Sequence, residues 1–384
     1  FPGPIAMGIA LWCYDWLAGV RETQWHNRAC LKTLWPQYED PRVRGAYRYT
    51  DALTDDSRLV LRVLQEASAH GAEVMNYVSA QEITPFEGGA NIVLQDHIHG
   101  HTKTIRALQV VNATGAWADT LSATQPKIRP LRGSHLVLRA ESLPISACLT
   151  LLHPADKRPV FVFPWRGSIV VGTTDQDHHS PLQEEPKASA AEVAYLLEAL
   201  RHAFPRVSIK PKHIVSTQAG VRPVIASGKG KDPSKERRDH LVWQGPGRIN
   251  VSGGKLTTFR LIALDTLKAA GFLDAPRYRR LRNAKQVFTH SVSWPKGLGD
   301  PLAPLPTEET LLQWWRWAIR HEHTMHLDDL LLRRTHVGQQ YADGAMGLLH
   351  KYQLWLCAEF GWSEQRWQKE QERYQNIWQR YYQE

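Results

Sequence analysis

Cysteine is scarce in this sequence, with 4 in 384 residues at Cys13, Cys30, Cys148 and Cys357. None stands in a C-x-x-C pair, so neither a disulfide framework nor a zinc ribbon is indicated, and a reducing compartment fits. Long apolar runs are also missing. The stretch from Phe1 to Tyr14 is broken by Asp15, short of the ~20 residues that a spanning helix needs. It carries no basic leader and no small-residue cleavage site, which argues against a signal peptide. Acidic residues are outnumbered, 38 against 47 Lys and Arg, for a net charge of +9. That balance favours acidic partners: phosphorylated substrates, anionic lipid or nucleic acid. With 42% hydrophobic and 22% charged residues, the chain has enough apolar material for a large core, and a disordered chain is excluded.

Two kinds of patterning are present. Asp55-Asp56-Ser57 before Arg58 to His70, with Gly71 after, reads as an N-cap, an amphipathic helix and a glycine stop. Glu73–Ala80, Asn91–Gln95 and Thr104–Val111 are strand-like, and 128–175 is nearly all β. Ser189-Ala-Ala-Glu192 is a capping box opening a helix to about His202. Val215–Val224 and Leu241–Gln244 return to strand character. Ile249–Ser252 then leads through Gly253-Gly254-Lys255 into a helix from Leu256 to Ala270. After Pro276 the character changes: a basic linker (Arg277, Arg279, Arg280, Arg282), a proline-rich stretch and then helical patterns. Eight of the 15 Trp lie beyond residue 290, the composition of a separate helical domain with an aromatic core.

The chemistry concentrates in a few turns. Asn112-Ala-Thr-Gly115-Ala-Trp117 follows a strand and precedes a helix, where a small-residue turn lets backbone approach a ligand. Ser252-Gly253-Gly254-Lys255-Leu256-Thr257 is a second such turn, whose helix N-terminus and lysine suit an anion or pyrophosphate. It is not a Walker A loop, since Leu256 occupies the Ser/Thr position. His135 in Arg132-Gly-Ser-His is suited to proton transfer, although a lone histidine is more often structural. Arg222 in Gly220-Val-Arg-Pro, with Arg238 after a Gly/Lys-rich loop, suits a phosphate or carboxylate by bidentate bonding, against the alternative of a solvated basic surface. His97, His99 and His101 alternate, but no Cys or acidic residue completes a metal site, and a polar hairpin is expected. The basic run 226–238 lacks interleaved aromatics, so no nucleic-acid partner is expected.

In order, these segments resemble one family: the FAD-dependent, respiratory-type glycerol-3-phosphate dehydrogenases and the related glycerophosphate oxidases. The resemblance is carried by Leu11-Trp-Cys-Tyr-Asp15-Trp-Leu-Ala-Gly, Asp51–Leu61, Val111-Asn-Ala-Thr-Gly-Ala-Trp117 and Arg132-Gly-Ser-His-Leu-Val137. It continues in Arg158-Pro-Val-Phe-Val-Phe-Pro-Trp165, Val171-Gly-Thr-Thr-Asp175, Gly220-Val-Arg-Pro223, Gly253-Gly-Lys-Leu-Thr-Thr258 and Asp328-Asp-Leu-Leu-Leu-Arg-Arg-Thr335. One departure is large: no G-x-G-x-x-G turn precedes a strand here, so the family's first cofactor-binding unit is expected to be missing.

The resemblance implies an α/β (α+β) FAD-linked oxidoreductase fold of the D-amino-acid-oxidase-like type, N-terminally truncated, with an all-α C-terminal domain. Residues 1–127 would be the remainder of the FAD domain and the start of the substrate domain. Residues 128–245 would be the mainly β substrate domain, 246–275 a returning FAD segment and 276–384 the helical domain. The implied reaction is oxidation of sn-glycerol 3-phosphate to dihydroxyacetone phosphate, with hydride transfer to FAD and electrons passed to a quinone. His135, Arg222 and Lys255 are the implied catalytic residues, and Arg222, Arg238, Lys255 and His135 the substrate-binding set. Asn112, Gly115, Trp117, Gly253, Gly254, Leu256 and Thr257 would line FAD. No metal is expected. A cytoplasmic location is implied, with peripheral contact at the inner face of the cytoplasmic membrane and room for a homodimer. Two alternatives stay open: an FAD-dependent oxidase of an amine or hydroxy acid, and a non-catalytic remnant unable to hold FAD.

Overall fold

The computed structural model describes residues 3–38, 43–121, 127–143, 145–226, 236 and 239–384. The chain opens with helix α1 (Pro4–Ala18), then strand β1 (Gln24–Asn27), helix α2 (Arg28–Leu34) and strand β2 (Gly45–Arg48), which pairs antiparallel with β1. The buried Asp15 carboxylate accepts from the N–H groups of Glu22 and Thr23 at 2.9 and 2.8 Å, fixing the turn after α1. Helix α3 (Asp56–Ala69) starts where the cap was expected: Asp55 Oδ1 accepts from the Arg58 N–H at 3.1 Å.

Strands β3 (Val78–Phe86), β4 (Gly89–Asp96) and β5 (Thr102–Ala107) form an antiparallel meander. The first begins later than the sequence suggested, because Tyr77 adopts φ +56, which interrupts extended backbone. His97 and His99 lie in the turn between β4 and β5, as a polar hairpin requires. The expected strand to Val111 divides: β5 ends at Ala107, and β6 (Val111–Asn112) belongs to another sheet. A 3-10 turn (Gly115–Trp117) and helix α4 (Ala118–Leu121) follow β6.

The largest sheet is built from β7 (Ile128–Arg139), β8 (Leu149–Leu152), β9 (Pro159–Trp165), β10 (Ser168–Gly172), β11 (Gln176–Asp177) and β12 (Ile214–Ile225). Helix α5 (Ala190–Ala203) packs Val193, Leu196, Leu197 and Leu200 against Leu136 and Leu138 of β7 and their neighbours. Full burial of each such side chain contributes roughly 1.5–3 kcal/mol. The other face of β7 carries Gly133, His135 and Val137, as the two-residue period dictates.

Strands β13 (His240–Gly245) and β14 (Arg248–Gly253) are antiparallel, and β14 runs parallel to β6. The strand expected at Leu241–Gln244 inside the 128–245 unit therefore joins the sheet of β14 and β6, by hairpin pairing to β14. Helix α6 (Phe259–Ala269) follows a 3-10 turn at Leu256–Thr258. The expected basic linker is helical: α7 (Ala275–Asn283) is capped by Asp274, which accepts from the Arg277 N–H at 2.7 Å, and Pro276 suits its first turn.

Helices α8 (Glu308–His321), α9 (Met346–Lys351), α10 (Gln353–Phe360) and α11 (Glu364–Tyr381), with a π-helical turn at Asp329–Arg334, build the C-terminal unit. Its core includes Trp315, Trp367, Tyr374 and Trp378 packed on Leu330, Leu331 and Leu349. Buried contacts fasten it to the rest: Arg58 pairs with Glu322, and His336 meets Asp55, which is itself paired with Arg166. Strand β12 is fastened to it too. Ser216 Oγ donates to the Gln339 carbonyl at 2.7 Å, and the Thr217 N–H donates to the Tyr382 carbonyl at 2.7 Å.

Candidate active site

His135 and Arg222 meet on the open face of β7. Across the ladders, Gly172 and Gln218 lie opposite His135, and Arg222 lies opposite Leu131. Two glycines make room. A Cβ on Gly172 would lie 2.1 Å from His135 Cδ2, and one on Gly133 would lie 2.3 Å from Arg222 Nη2. Glycine inside a strand here marks close approach of a side chain to bare backbone.

Arg222 is held from behind. Its Nη2 donates to Thr173 Oγ1 at 2.9 Å, and its Nη1 donates to Asp175 Oδ1 at 3.2 Å. Asp175 Oδ2 lies 3.4 Å from Arg158 Nη2, so the carboxylate is clamped between two guanidinium groups. The Arg222 side chain stays 31% exposed on its other side. Burial, reinforced by the charge of Arg222, lowers the His135 pKa to about 4. The imidazole is therefore neutral near pH 7, the form that accepts a proton.

On the α5 face, directly behind, sits the capping-box carboxylate of Glu192. It accepts from Ser134 Oγ (2.9 Å), Thr174 Oγ1 (2.7 Å), Arg132 Nη2 (2.7 Å) and Ser189 Oγ (2.8 Å). Burial pushes this carboxyl up, but those hydrogen bonds hold it below its usual range. Thr174 Oγ1 also accepts from the Ser134 N–H at 2.9 Å. The segment Thr173–Asp175, which orients Arg222, is thereby fixed to the strand that carries His135.

The two turns found in the sequence come together at the end of β12, the strand that carries Arg222. Parallel pairing sets Asn112 beside Asn250, so β6 and β14 end at one edge and each opens into a 3-10 turn and a helix. Ser252 Oγ donates to the Gly115 carbonyl at 2.9 Å, joining the turns. Gly115, Gly253 and Gly254 have φ of +63, +81 and +81, a region favourable only to glycine. Strand β12 abuts both turns: a Cβ on Gly115 would lie 3.8 Å from Pro223, and one on Gly253 would lie 3.0 Å from Ile225.

Leu256 and Thr257 are exposed at the start of a helical segment, where leading N–H groups have no intrahelical acceptor. Lys255 is exposed and its side chain forms no ion pair with another described residue. Trp117 is 46% exposed, its Nε1 donating to the Leu182 carbonyl at 3.0 Å. Asn112 plays a different part from a ligand contact. Its buried Nδ2 donates to the Ala118 carbonyl and to Asn250 Oδ1, both at 2.9 Å, and its Oδ1 accepts from Thr114. It shapes the turn from inside. Arg238 lies outside the described residues.

The sequence reading assigned no role to Asp175, Thr173, Arg158 or Glu192. Three of these stand in segments already singled out, Arg158–Trp165 and Val171–Asp175, and Glu192 was legible only as a helix cap. Two cavities, of about 350 and 270 Å3, lie elsewhere, at Arg139–Ser168–Gln340 and at Pro85–Leu108–Arg248.

Residues 8–260 match the family described as DAO, FAD dependent oxidoreductase. The chain belongs to this FAD-dependent oxidoreductase family. The matched range runs from α1 into the first turn of α6, and so contains His135, Arg222 and both glycine turns. An aerobic glycerol-3-phosphate dehydrogenase of Staphylococcus epidermidis (strain RP62A) is 32% identical over 277 residues, covering 68% of this chain and 49% of that protein. One of Staphylococcus aureus (strain MRSA252) is 32% identical over 276 residues, with the same coverage. The chain thus spans about half the length of the curated relatives it matches. Among solved structures, the glycerol-3-phosphate dehydrogenase from Bacillus halodurans complexed with FAD superposes with a TM-score of 0.69. It is 22% identical, over 92% of this chain and 80% of that one. The L-alpha-glycerophosphate oxidase from Mycoplasma pneumoniae with FAD bound gives 0.52 at 15% identity, over 79% and 75%. The chain therefore shares the fold of the Bacillus halodurans structure over 92% of its length.

Proposed function

We propose that the chain carries the substrate face and one side of the cofactor cleft of an enzyme that oxidises sn-glycerol 3-phosphate to dihydroxyacetone phosphate. The observation that carries this reading is a part-buried histidine beside an anchored guanidinium whose side chain is 31% exposed, on a sheet whose strand β12 abuts two glycine turns. The residues suit FAD: Gly115, Gly253 and Gly254 supply backbone without a Cβ, and Leu256, Thr257 and Trp117 are exposed beside them. The glycine-rich pyrophosphate turn of that family is not among these 384 residues. FAD, when bound, supplies the hydride acceptor.

The remaining work falls to this chain. Arg222, with 31% of its side chain exposed, binds the phosphate dianion, and Lys255 adds charge from the glycine turn. His135 accepts the hydroxyl proton at its imidazole. Anchoring both groups on one rigid strand pair holds the carbinol near the base, the kind of positioning that lowers a barrier entropically. We assign the final acceptor as a quinone and the location as the inner face of the cytoplasmic membrane. The +9 charge supports contact with an anionic surface. No helix of the described residues is long and apolar enough to cross a membrane.

The test is anaerobic bleaching of flavin absorbance in FAD-loaded protein. Glycerol 3-phosphate should bleach it, while glycine, proline and glycerol should not. Faster bleaching by an amine would overturn the assignment in favour of an amine oxidase. Failure to retain any flavin would leave the chain as a remnant and refute the reading equally.

A further inference from the structure

Far from that face, α3 and the segment after α7 bring four donor atoms together. Glu66 on α3 and His70 at its C-cap stand one helical turn apart, and Thr289 and His290 lie against both. Glu66 Oε1 is 3.5 Å from His70 Nε2 and 3.4 Å from His290 Nδ1. Thr289 Oγ1 is 3.1 Å from His70 Nε2, 3.2 Å from His290 Nδ1 and 2.5 Å from Glu66 Oε1. A tetrahedral shell with bonds of about 2.0–2.1 Å has edges of roughly 3.3 Å. Four of these five separations lie within a few tenths of an ångström of that edge. The three metal-ligating atoms of Glu66, His70 and His290 all fall within 4.8 Å of one another.

We propose that Glu66, His70 and His290, with the Thr289 hydroxyl, form a binding site for a zinc-class divalent cation. Two imidazoles and one carboxylate select zinc and its borderline neighbours over magnesium and calcium, which take oxygen shells. The supporting contacts are those a ligating carboxylate needs. Arg62 Nη2 donates to Glu66 Oε2 at 2.9 Å and also to the His290 carbonyl, with its guanidinium over the Phe288 ring. The Thr289 N–H donates to Glu66 Oε1 at 2.6 Å. The Thr289 hydroxyl, its N–H and Arg62 together hold the Glu66 carboxyl far below its usual range, so the ligand is ionised. Outer contacts of this kind orient ligands in metal sites. Both imidazoles are largely exposed and reachable from solvent. A bound ion would clip the segment between α7 and α8 onto α3, at a point separate from the buried ion pairs that fasten the C-terminal unit.

The test is titration of the metal-stripped chain with Zn2+ against a chromophoric chelator, for wild type and for the His70→Ala, His290→Ala and His99→Ala variants. One ion per chain should bind in wild type and in His99→Ala. Loss of a supporting contact alone weakens metal sites 10–100-fold, so His70→Ala and His290→Ala should each weaken binding at least about 100-fold. Zn2+ should raise Tm in wild type and not in those two variants, and excess Mg2+ should not compete. Absence of a stoichiometric site, or binding unchanged in His70→Ala and His290→Ala, overturns the proposal.

Discussion

Replacing Arg58 by methionine should loosen the whole joint between α3 and the C-terminal unit. The Arg58 and Glu322 side chains are 2% and 0% exposed, and they meet through two hydrogen bonds of 2.6 and 2.7 Å. Without Arg58, the Glu322 carboxylate keeps, among the described residues, Trp317 Nε1, at 3.1 Å, as its side-chain donor. Stranding one member of a buried pair costs about 3–5 kcal/mol, chiefly as the uncompensated desolvation of the survivor. With roughly 2.1 cal/mol/K of unfolding entropy per residue, a chain this long loses about 0.8 kcal/mol/K, so Tm should fall by roughly 4–6 °C. Glu322→Leu should do the same, because among the described residues the Arg58 guanidinium then keeps the Trp294 ring, 4.4 Å away, and a long contact to the Arg334 carbonyl. The double variant Arg58→Met/Glu322→Leu removes both charges and should be more stable than either single one. Scanning calorimetry of the three variants measures this directly. Single-variant losses below about 1 °C, or a double variant whose loss equals the sum of the singles, would refute the reasoning.

Other outcomes follow from the site. Arg222→Ala should raise KM for glycerol 3-phosphate far more than it lowers flavin occupancy, and an unchanged KM, by steady-state kinetics with a dye acceptor, would remove its phosphate role. His135→Ala should lower kcat by about 10²–10⁴, and a loss under tenfold would make the histidine structural. With a folded pKa near 4 against about 6.5 unfolded, His135 favours the native state only when neutral. Its stabilising contribution is therefore complete above pH 6.5 and is lost as pH falls toward 4, roughly 3 kcal/mol in all. Imidazole NMR should show that midpoint near 4, and one near 6.5 would contradict the burial described. Gly172→Ala should displace the imidazole, because the new Cβ has no room beside it, and lower kcat while leaving flavin binding intact in equilibrium dialysis.

How legible this was varied with the physics involved. Caps and turns were readable because they are local: Asp55, Ser189 with Glu192, and the Gly253-Gly254 turn each announce themselves within a few residues. Arg132-Gly-Ser-His and Val171-Gly-Thr-Thr-Asp were visible as segments, but not the fact that Gly172 makes room for His135 and Gly133 for Arg222 across the sheet. That depends on register between strands about 40 and 90 residues apart, which no local pattern encodes. For the same reason Asp175 and Glu192 gained their roles only in three dimensions. Asn112 shows the converse, since a polar residue at a ligand edge turned out to stitch two strands from within. The basic run at Arg277–Arg282 read as a linker because its composition is polar all round, and its helix is decided by the Asp274 cap and by packing of α6 against it.

Strand β12 gives the molecule a kind of alignment rod. Its first residues are tied to the carbonyls of Gln339 and Tyr382, and five residues past Thr217, roughly 17 Å along, the same strand delivers Arg222. Its far end then braces both glycine turns. If Arg222 binds substrate as proposed, its placement depends on the helical unit. A change near Tyr382 that lets the rod slide by an ångström should displace Arg222 and both glycine turns together, without touching either.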